Sequence, residues 1–256
     1  MTQASAPLSG RRIVVTRARA QASDLVQGLT ALGAEVVCVP VIRIEPLPDL
    51  TPLRRALAVL PTYDWVVFTS TNAVDVACTE PAGFARTQVA AIGATTAAAL
   101  QRRGVAVALV PEPYVAEALV AALVARGVAG KRILVPGAER ARAVLGDGLR
   151  AAGAAVDVIP VYRTVGEEGA GSELAHDLLS GAVNAVTFTS SSTVEHFAAL
   201  VGPETSACGR FVAAVIGPIT AATARELGVA SGGLVEAAPS TVDGLVAALG
   251  RHFGAT

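Results

Sequence analysis

A tyrosine is the clearest candidate for chemistry in this 256-residue chain. Residues 156–165, VDVIPVYRTV, resemble residues 36–45, VVCVPVIRIE, at an offset of 120. Both stretches contain Pro-Val-x-Arg, but Tyr162 stands where the first copy has Ile42. Structural requirements alone can explain why two segments are similar. We therefore look for chemistry at the position where they differ and a phenol replaces an alkyl group. A phenol keeps its proton at neutral pH and can donate a hydrogen bond or a proton.

Four hydroxyl-rich loops are the second candidate, because each is predicted to join a strand to a helix. Hydroxyls and free backbone N–H groups at a helix start favour an anion. N-capping explains any single loop equally well, but four such loops in two pairs predict a polyanion-binding cleft. The candidate residues in these loops are Thr69, Ser70, Asn72, Gly93, Thr96, Ser190, Ser191, Ser192, Gly217 and Thr220.

Two arginines could add fixed positive charge to such a cleft. Arg17 follows the first predicted strand, and Arg142 lies near the start of the helix predicted after residues 131–135. Guanidinium groups bind carboxylates in a bidentate manner. Either residue could equally be a solvated surface arginine.

Several familiar site patterns are absent from the sequence. It has no GxGxxG, no GxxxxGK[ST] and no GxSxG. The histidines His176, His196 and His252 are far apart and lack ligand spacing. The sequence therefore indicates neither a nucleotide nor a metal.

Short apolar runs predict the elements that must position these residues. They alternate with helical patterns, which indicates the α/β class with parallel sheets. The predicted strands cover residues 12–16, 36–44, 64–70, 88–92, 105–110, 131–135, 155–164, 184–189, 211–216 and 234–237. Among the predicted helices are 53–60, 72–78, 95–103, 114–126, 140–152, 194–200, 220–227 and 242–252.

An internal repeat organises these elements. Residues 10–45 and 130–165 align without gaps, with 15 identities in 36 pairs. Later matches pair 68–70 with 188–190, 93–97 with 217–221, and 117–123 with 243–249. We therefore predict two five-stranded, doubly wound parallel-sheet domains that arose by internal duplication.

Composition limits the possible partners and location. Half of the residues (52%) are hydrophobic and the net charge is −1, so we expect a well-buried core. The absence of a Lys/Arg block argues against nucleic acid, and no apolar run is long enough to span a membrane. Three lone cysteines and no signal peptide favour a cytoplasmic location.

In order and spacing, the motifs resemble those of the uroporphyrinogen-III synthase family, the cyclases of tetrapyrrole biosynthesis. The similarity covers roughly residues 10–253. It rests on VVTRARAQA at 14–22, FTSTNAV at 68–74, GATTA at 93–97, PVYRT at 160–164, FTSSSTV at 188–194 and GPITA at 217–221.

The resemblance implies flavodoxin-like domains that exchange segments. The first domain would contain residues 1–39 plus 166–256, and the second residues 48–157. Residues 40–47 and 158–165 would form a two-stranded linker. The repeat alone fits a plain tandem division near residue 127 equally well.

The resemblance also implies a reaction without a cofactor. Linear hydroxymethylbilane, a polycarboxylate handed over by the preceding deaminase, would close to uroporphyrinogen III with inversion of ring D and loss of water. Tyr162 would assist the departing hydroxyl, and Thr96 and Thr220 would orient the substrate. The enzyme would act as a monomer.

Two other classes of function are considered. A non-catalytic two-lobed protein that binds or senses a tetrapyrrole or another polyanion would need the same loops. A periplasmic-type sugar binder also predicts two α/β lobes, but it is disfavoured by the absent signal sequence and by an aromatic content of only 4%.

Overall fold

A computed structural model describes residues 6–78, 81–84, 86–167, 169 and 171–254. The ends of the predicted first domain, residues 1–5 and 255–256, lie outside the described residues. The strands are β1 (Arg12–Val15), β2 (Glu35–Cys38), β3 (Ile42–Pro46), β4 (Trp65–Phe68), β5 (Gln88–Ala91), β6 (Arg132–Ala138), β7 (Ala155–Gly166), β8 (Ala185–Phe188), β9 (Val212–Val215) and β10 (Leu234–Glu236).

The α-helices lie between these strands and after the last of them. They are α1 (Ser23–Ala31), α2 (Thr51–Ala58), α3 (Thr71–Ala77), α4 (Ala94–Arg102), α5 (Ala116–Ala125), α6 (Val144–Ala151), α7 (Gly171–Ser180), α8 (Ser191–Val201), α9 (Pro203–Ser206), α10 (Pro218–Glu226) and α11 (Val242–Gly254). Within the described residues, none of the helices is long and apolar enough to cross a membrane.

The first compact unit, unit 1, comprises the chain up to Arg43 and from Val165 onward. Its sheet has the order β10-β9-β8-β1-β2, and all neighbouring strands are parallel. Leucines from α1 and α11 pack together in one core cluster against the strands, including Leu25, Leu29, Leu245 and Leu249.

The second compact unit, unit 2, comprises Ile44–Thr164. Its sheet has the order β3-β7-β6-β4-β5, in which β7, β6, β4 and β5 are parallel. Two backbone bonds, Leu47 N–H to the Val161 carbonyl and Glu167 N–H to the Val41 carbonyl, follow an antiparallel register for β3. The predicted α/β class with parallel sheets is confirmed, whereas a tandem division near residue 127 does not occur.

Two predicted strands are wrong. Residues 36–44 form β2 and β3 rather than one strand, because the pairing with β1 slips by one residue at Pro40: the Val39 N–H donates to the Val15 carbonyl, but the Val41 N–H donates to the Thr16 carbonyl. Residues 105–110 form no strand; Leu109 makes only an isolated bridge to Ala90. Pro111 follows directly and cannot continue a ladder.

Several helix starts also differ from the prediction, and the largest difference follows β6. The helix predicted over 140–152 begins at Val144, after β6 has continued through Pro136 and Gly137 to Ala138. An unpredicted helix, α7, follows β7.

Candidate functional site

The carboxyl ends of β4 and β5 place two helix starts side by side in unit 2. The Ile92 N–H donates to the Phe68 carbonyl, so the two loops begin next to each other. Ser70 caps α3, because its Oγ accepts from the Ala73 N–H at 3.2 Å. Gly93 precedes α4. The sequence places hydroxyls here because serine is a preferred N-cap residue.

An irregularity in β7 aims Tyr162. Gly137 pairs with Pro160 and Ala138 pairs with Tyr162, which leaves Val161 as an extra residue on β7. Neighbouring side chains of a regular strand point to opposite faces. Val161 and Tyr162 nevertheless belong to the same hydrophobic cluster. A bulge of this kind re-aims a side chain, and such bulges are frequent beside active sites.

Tyr162 contacts Ser70 in this unit. The Tyr162 Oη and Ser70 Oγ atoms are 3.0 Å apart, and either can be the donor. The ring is buried, with 7% of the residue exposed. The structure therefore brings together two predicted site residues that are 92 positions apart in the chain.

A residue that sequence reasoning missed, Tyr114, packs against the start of α4. A Cβ at Gly93 would lie 3.0 Å from the ring of Tyr114, so the missing side chain lets this partly exposed phenol pack closely. The repeat offset of 126 residues pairs Tyr114 with Ser240. Ser240 Oγ likewise lies 2.8 Å from where a Cβ would sit at Gly217. Comparing the two halves at this offset could have identified both residues.

Unit 1 carries the corresponding helix starts. Ser190 caps α8, accepting from the Thr193 N–H at 3.3 Å. Ser191 Oγ accepts from Thr223 Oγ1 at 2.8 Å, and the Ser192 carbonyl lies 2.8 Å from His196 Nδ1. These loop residues therefore have structural partners within unit 1.

The remaining predicted residues of both units lie at or beside helix starts. Gly217 precedes α10, which contains Thr220. Thr220 is 4% exposed and Thr96 in α4 is 5% exposed, so both threonines are buried. Thr69 and Asn72 are partly buried beside Ser70.

The two predicted arginines differ in their surroundings. Arg17 is partly buried directly after β1, and desolvation lowers the pKa of its guanidinium while Asp24 raises it. Among the described residues, no carboxylate lies within 4.0 Å of Arg17. Arg142 is exposed, lies before α6 rather than inside it, and pairs with Glu117 at 3.8 Å. Arg17 is thus the better placed of the two to meet an anion.

Two concavities in the structure lie away from these loops. One in unit 2, of about 500 Å³, is lined by Tyr63, Arg132 and Asp157 among others, and none of the predicted site residues lines it. Tyr63 Oη donates to Asp157 Oδ2 at 2.6 Å, and burial together with that bond raises the pKa of Tyr63 to about 12. Loop chemistry and loop position, rather than concavity, therefore define the candidate site.

Metal ligands do not cluster in the part of the chain that the structure describes. No group of three or more His, Cys, Asp or Glu residues lies close enough there to hold an ion. The groups available for chemistry at the candidate site are hydroxyls, backbone N–H donors and a guanidinium.

Two parallel-sheet α/β units with hydroxyl-rich helix starts define a broad class of ligand-binding and catalytic proteins. Within that class, this chain belongs to the uroporphyrinogen-III synthase family, because the family's sequence profile, described as "Uroporphyrinogen-III synthase HemD", matches residues 23–247. The uroporphyrinogen-III synthase of Synechococcus elongatus is 34% identical over 209 residues, which cover 77% of each chain. The predicted family and its enzymatic role in tetrapyrrole biosynthesis are confirmed.

Solved structures agree with this fold. A mutant uroporphyrinogen III synthase from Thermus thermophilus matches with a TM-score of 0.65 and 20% identity, covering 96% of this chain and 100% of that one. The Helicobacter pylori enzyme matches with a TM-score of 0.59 and 18% identity, covering 93% and 97%. At these identities the structures support the fold alone.

Proposed function

We propose that this enzyme closes hydroxymethylbilane to uroporphyrinogen III, with inversion of ring D and loss of water, and that Tyr162 assists the departing hydroxyl. The observation that carries this proposal is the 3.0 Å contact between Tyr162 Oη and Ser70 Oγ at the carboxyl edge of the unit 2 sheet. A phenol at that edge is the best-placed proton donor among the predicted site residues.

The helix starts would bind the carboxylates of the substrate. Backbone N–H groups and the positive ends of helix dipoles attract anions without adding charged side chains. This reconciles a polyanionic substrate with a net protein charge of −1. Arg17 would add one fixed positive charge, supported by its partly buried position directly after β1.

Tyr162 would act when the C–O bond of the hydroxymethyl group breaks. Its proton passes to the departing oxygen, which leaves as water, while the pyrrole nitrogen stabilises the carbon that is left electron-poor. The proton released on ring closure restores the phenol, so the net change is the loss of one water.

The larger contribution would be conformational. Holding the linear substrate so that the rings meet only after inversion converts an improbable encounter into a favoured one. Thr96 and Thr220 would orient carboxylates or the leaving group from their buried positions in the first turns of α4 and α10. The other polar residues of the predicted loops would support the helix starts.

A segment-exchanged duplication would account for the arrangement of the chain. Unit 1 draws on both ends of the sequence and unit 2 on the middle, and the divisions at residues 43/44 and 164/165 fall within β3 and β7. These observations support two repeat-derived domains with residues 40–47 and 158–165 as linker strands.

We also infer the setting of the reaction. The enzyme would work as a cytoplasmic monomer that receives hydroxymethylbilane from the preceding deaminase. The free thiols of Cys38, Cys78 and Cys208 fit a reducing compartment.

An isomer assay tests the proposed function. The purified protein is mixed with hydroxymethylbilane, and the products are oxidised and separated into isomers III and I, with heat-denatured protein as the control. Catalysis predicts mostly isomer III. Tight binding with only the spontaneously formed isomer I would instead identify a non-catalytic binder or regulator.

A further inference from the structure

We propose that Ser70 is a positioning residue that fixes the direction of the Tyr162 O–H bond, rather than a residue that binds substrate carboxylates. The inference rests on the proposed role of Tyr162. It concerns the hydroxyl contact that joins the helix start of α3 to β7.

The hydrogen bonds of Ser70 allow it to donate to the phenol. A serine hydroxyl has one proton and two acceptor lone pairs. The Ala73 N–H at 3.2 Å uses one lone pair, which leaves the serine proton and one lone pair for Tyr162, and we propose that the proton is the group used. Tyr162 Oη, at 3.0 Å, is the hydroxyl partner in reach. When it accepts that proton, its own O–H is directed away from Ser70.

Burial makes this direction matter. The Tyr162 ring packs in the cluster that contains Phe68 and Val74, and only 7% of the residue is exposed. A ring held in this way has little freedom except rotation of its O–H bond. Ser70 therefore controls whether the phenol proton points toward the protein or toward an approaching hydroxyl.

The second copy separates this role from capping. Ser190 caps α8 just as Ser70 caps α3, with its Oγ accepting from the Thr193 N–H at 3.3 Å. The counterpart of Tyr162 is Ile42, which offers no hydroxyl. Capping alone accounts for a serine at both positions, whereas the contact with a phenol belongs only to Ser70.

A mutant cycle with Tyr162→Phe tests the proposal. Glycine is tolerated at N-caps, so Ser70→Gly removes the hydroxyl while keeping the helix start. We expect Ser70→Gly to lower kcat for isomer III by about five- to tenfold with little change in KM. Ser70→Thr, which restores a hydroxyl and a cap, should recover most of the rate. The double variant should be no slower than Tyr162→Phe alone.

Ser190→Gly is the matched control. It removes the same cap in unit 1, where no phenol is contacted. Its effect on kcat should therefore be the same in the wild-type background and in the Tyr162→Phe background. If Ser70→Gly lowered kcat by the same factor in the Tyr162→Phe background as in the wild type, or if it changed only KM, the positioning role would be overturned.

A second substitution guards against a folding defect. Ser70→Asp keeps a strong cap, but a carboxylate only accepts hydrogen bonds and would draw the phenol proton toward itself. Its kcat should fall below that of Ser70→Gly, and a wild-type kcat would contradict the proposal. If Tyr162→Phe alone kept the wild-type rate, the proposed function of Tyr162 would fail instead.

Discussion

The two units share a helix-start design but differ in what faces it. Ser70 and Ser190 cap matching helices with the same backbone hydrogen bond. Across from Ser70 lies Tyr162, whereas the repeat position matched to Tyr162 in the other copy is Ile42. The shared features are therefore those that a helix start needs, and the chemical difference lies in a single side chain.

Matched prolines lie beside a register shift in both copies. The residues directly before and after Pro40 donate their N–H groups to consecutive carbonyls, of Val15 and Thr16, so the pairing with β1 slips by one residue. Pro160 lies within the continuous strand β7, and the register shifts directly after it. The backbone shift is therefore shared, and the side chain at the position of Tyr162 is what distinguishes the two copies.

The largest expected effect on stability distinguishes the final helices of the two units. A Cβ at Gly244 in α11 would fall inside van der Waals contact with the Pro239 carbonyl oxygen. The repeat places Ala118 of α5 at the matching position. We expect Gly244→Ala to lower the free energy of unfolding by about 2–3 kcal/mol. Ala118→Gly should cost about 1 kcal/mol, through helix propensity.

Urea denaturation followed by circular dichroism measures both variants. If the Gly244→Ala protein were as stable as the wild type, unit 1 would be able to relax around the added methyl group, and the two final helices would not differ in this respect.

The next effect concerns charge. The repeat pairs Arg17 with Gly137, so only unit 1 has a guanidinium after that strand position. Arg17→Gln should raise KM about tenfold with kcat nearly unchanged, because a charged hydrogen bond to a carboxylate is lost. Arg142→Gln should raise KM less than about threefold, because Arg142 is exposed and pairs with Glu117. Steady-state kinetics at two salt concentrations would measure both KM changes. Equal increases in KM for Arg17→Gln and Arg142→Gln would show that the two arginines do not differ in substrate binding.

The buried threonines should have smaller effects. Thr96→Ala and Thr220→Ala should each lower kcat/KM by about two- to fivefold, the size expected for one neutral hydrogen bond to substrate. Unchanged kinetics in both variants, with folding verified by circular dichroism, would assign these threonines to packing alone.

The smallest effect uses a matched pair of polar residues. Asp64 Oδ2 accepts the Arg132 N–H at 2.9 Å, and Asn184 Oδ1 accepts the Arg12 N–H at 2.8 Å. The backbone hydrogen bond from Arg132, then the bond from Lys131, lower the pKa of Asp64. A lowered folded-state pKa adds stability above the usual carboxyl range, and this is lost as pH falls through the folded value.

Asp64→Asn should therefore be less stable by about 0.5 kcal/mol at pH 7, since the group is partly exposed. The difference should vanish in acid, once both side chains are neutral. Denaturation curves between pH 7 and pH 2 measure it. A constant difference across that range would assign the cost to geometry instead of charge.

The sequence predicts the buried parts of the fold best. All residues of β4 and β8 are buried, and strands buried on both faces read as continuous apolar runs. The run at 105–110 looks the same but lies beyond the edge strand β5, where only Leu109 forms a bridge. Apolar pattern alone does not distinguish these cases.

The site is only partly predictable for a different reason. Helix-start residues such as Ser70 follow from local capping chemistry. The contact between Ser70 and Tyr162 depends on a register shift in β7 and joins residues 92 positions apart. Tyr114 was missed because its importance comes from close packing on Gly93, which no local pattern reveals.

The most direct test compares two phenols of unit 2. Tyr162→Phe and Tyr63→Phe each remove one hydroxyl that makes a hydrogen bond, to Ser70 and to Asp157 respectively. In single-turnover experiments with saturating enzyme, Tyr162→Phe should form isomer III about 100-fold more slowly, the lower range for loss of a general acid. Tyr63→Phe should keep the wild-type rate. Equal rates of isomer III formation by Tyr162→Phe and the wild type would contradict the account.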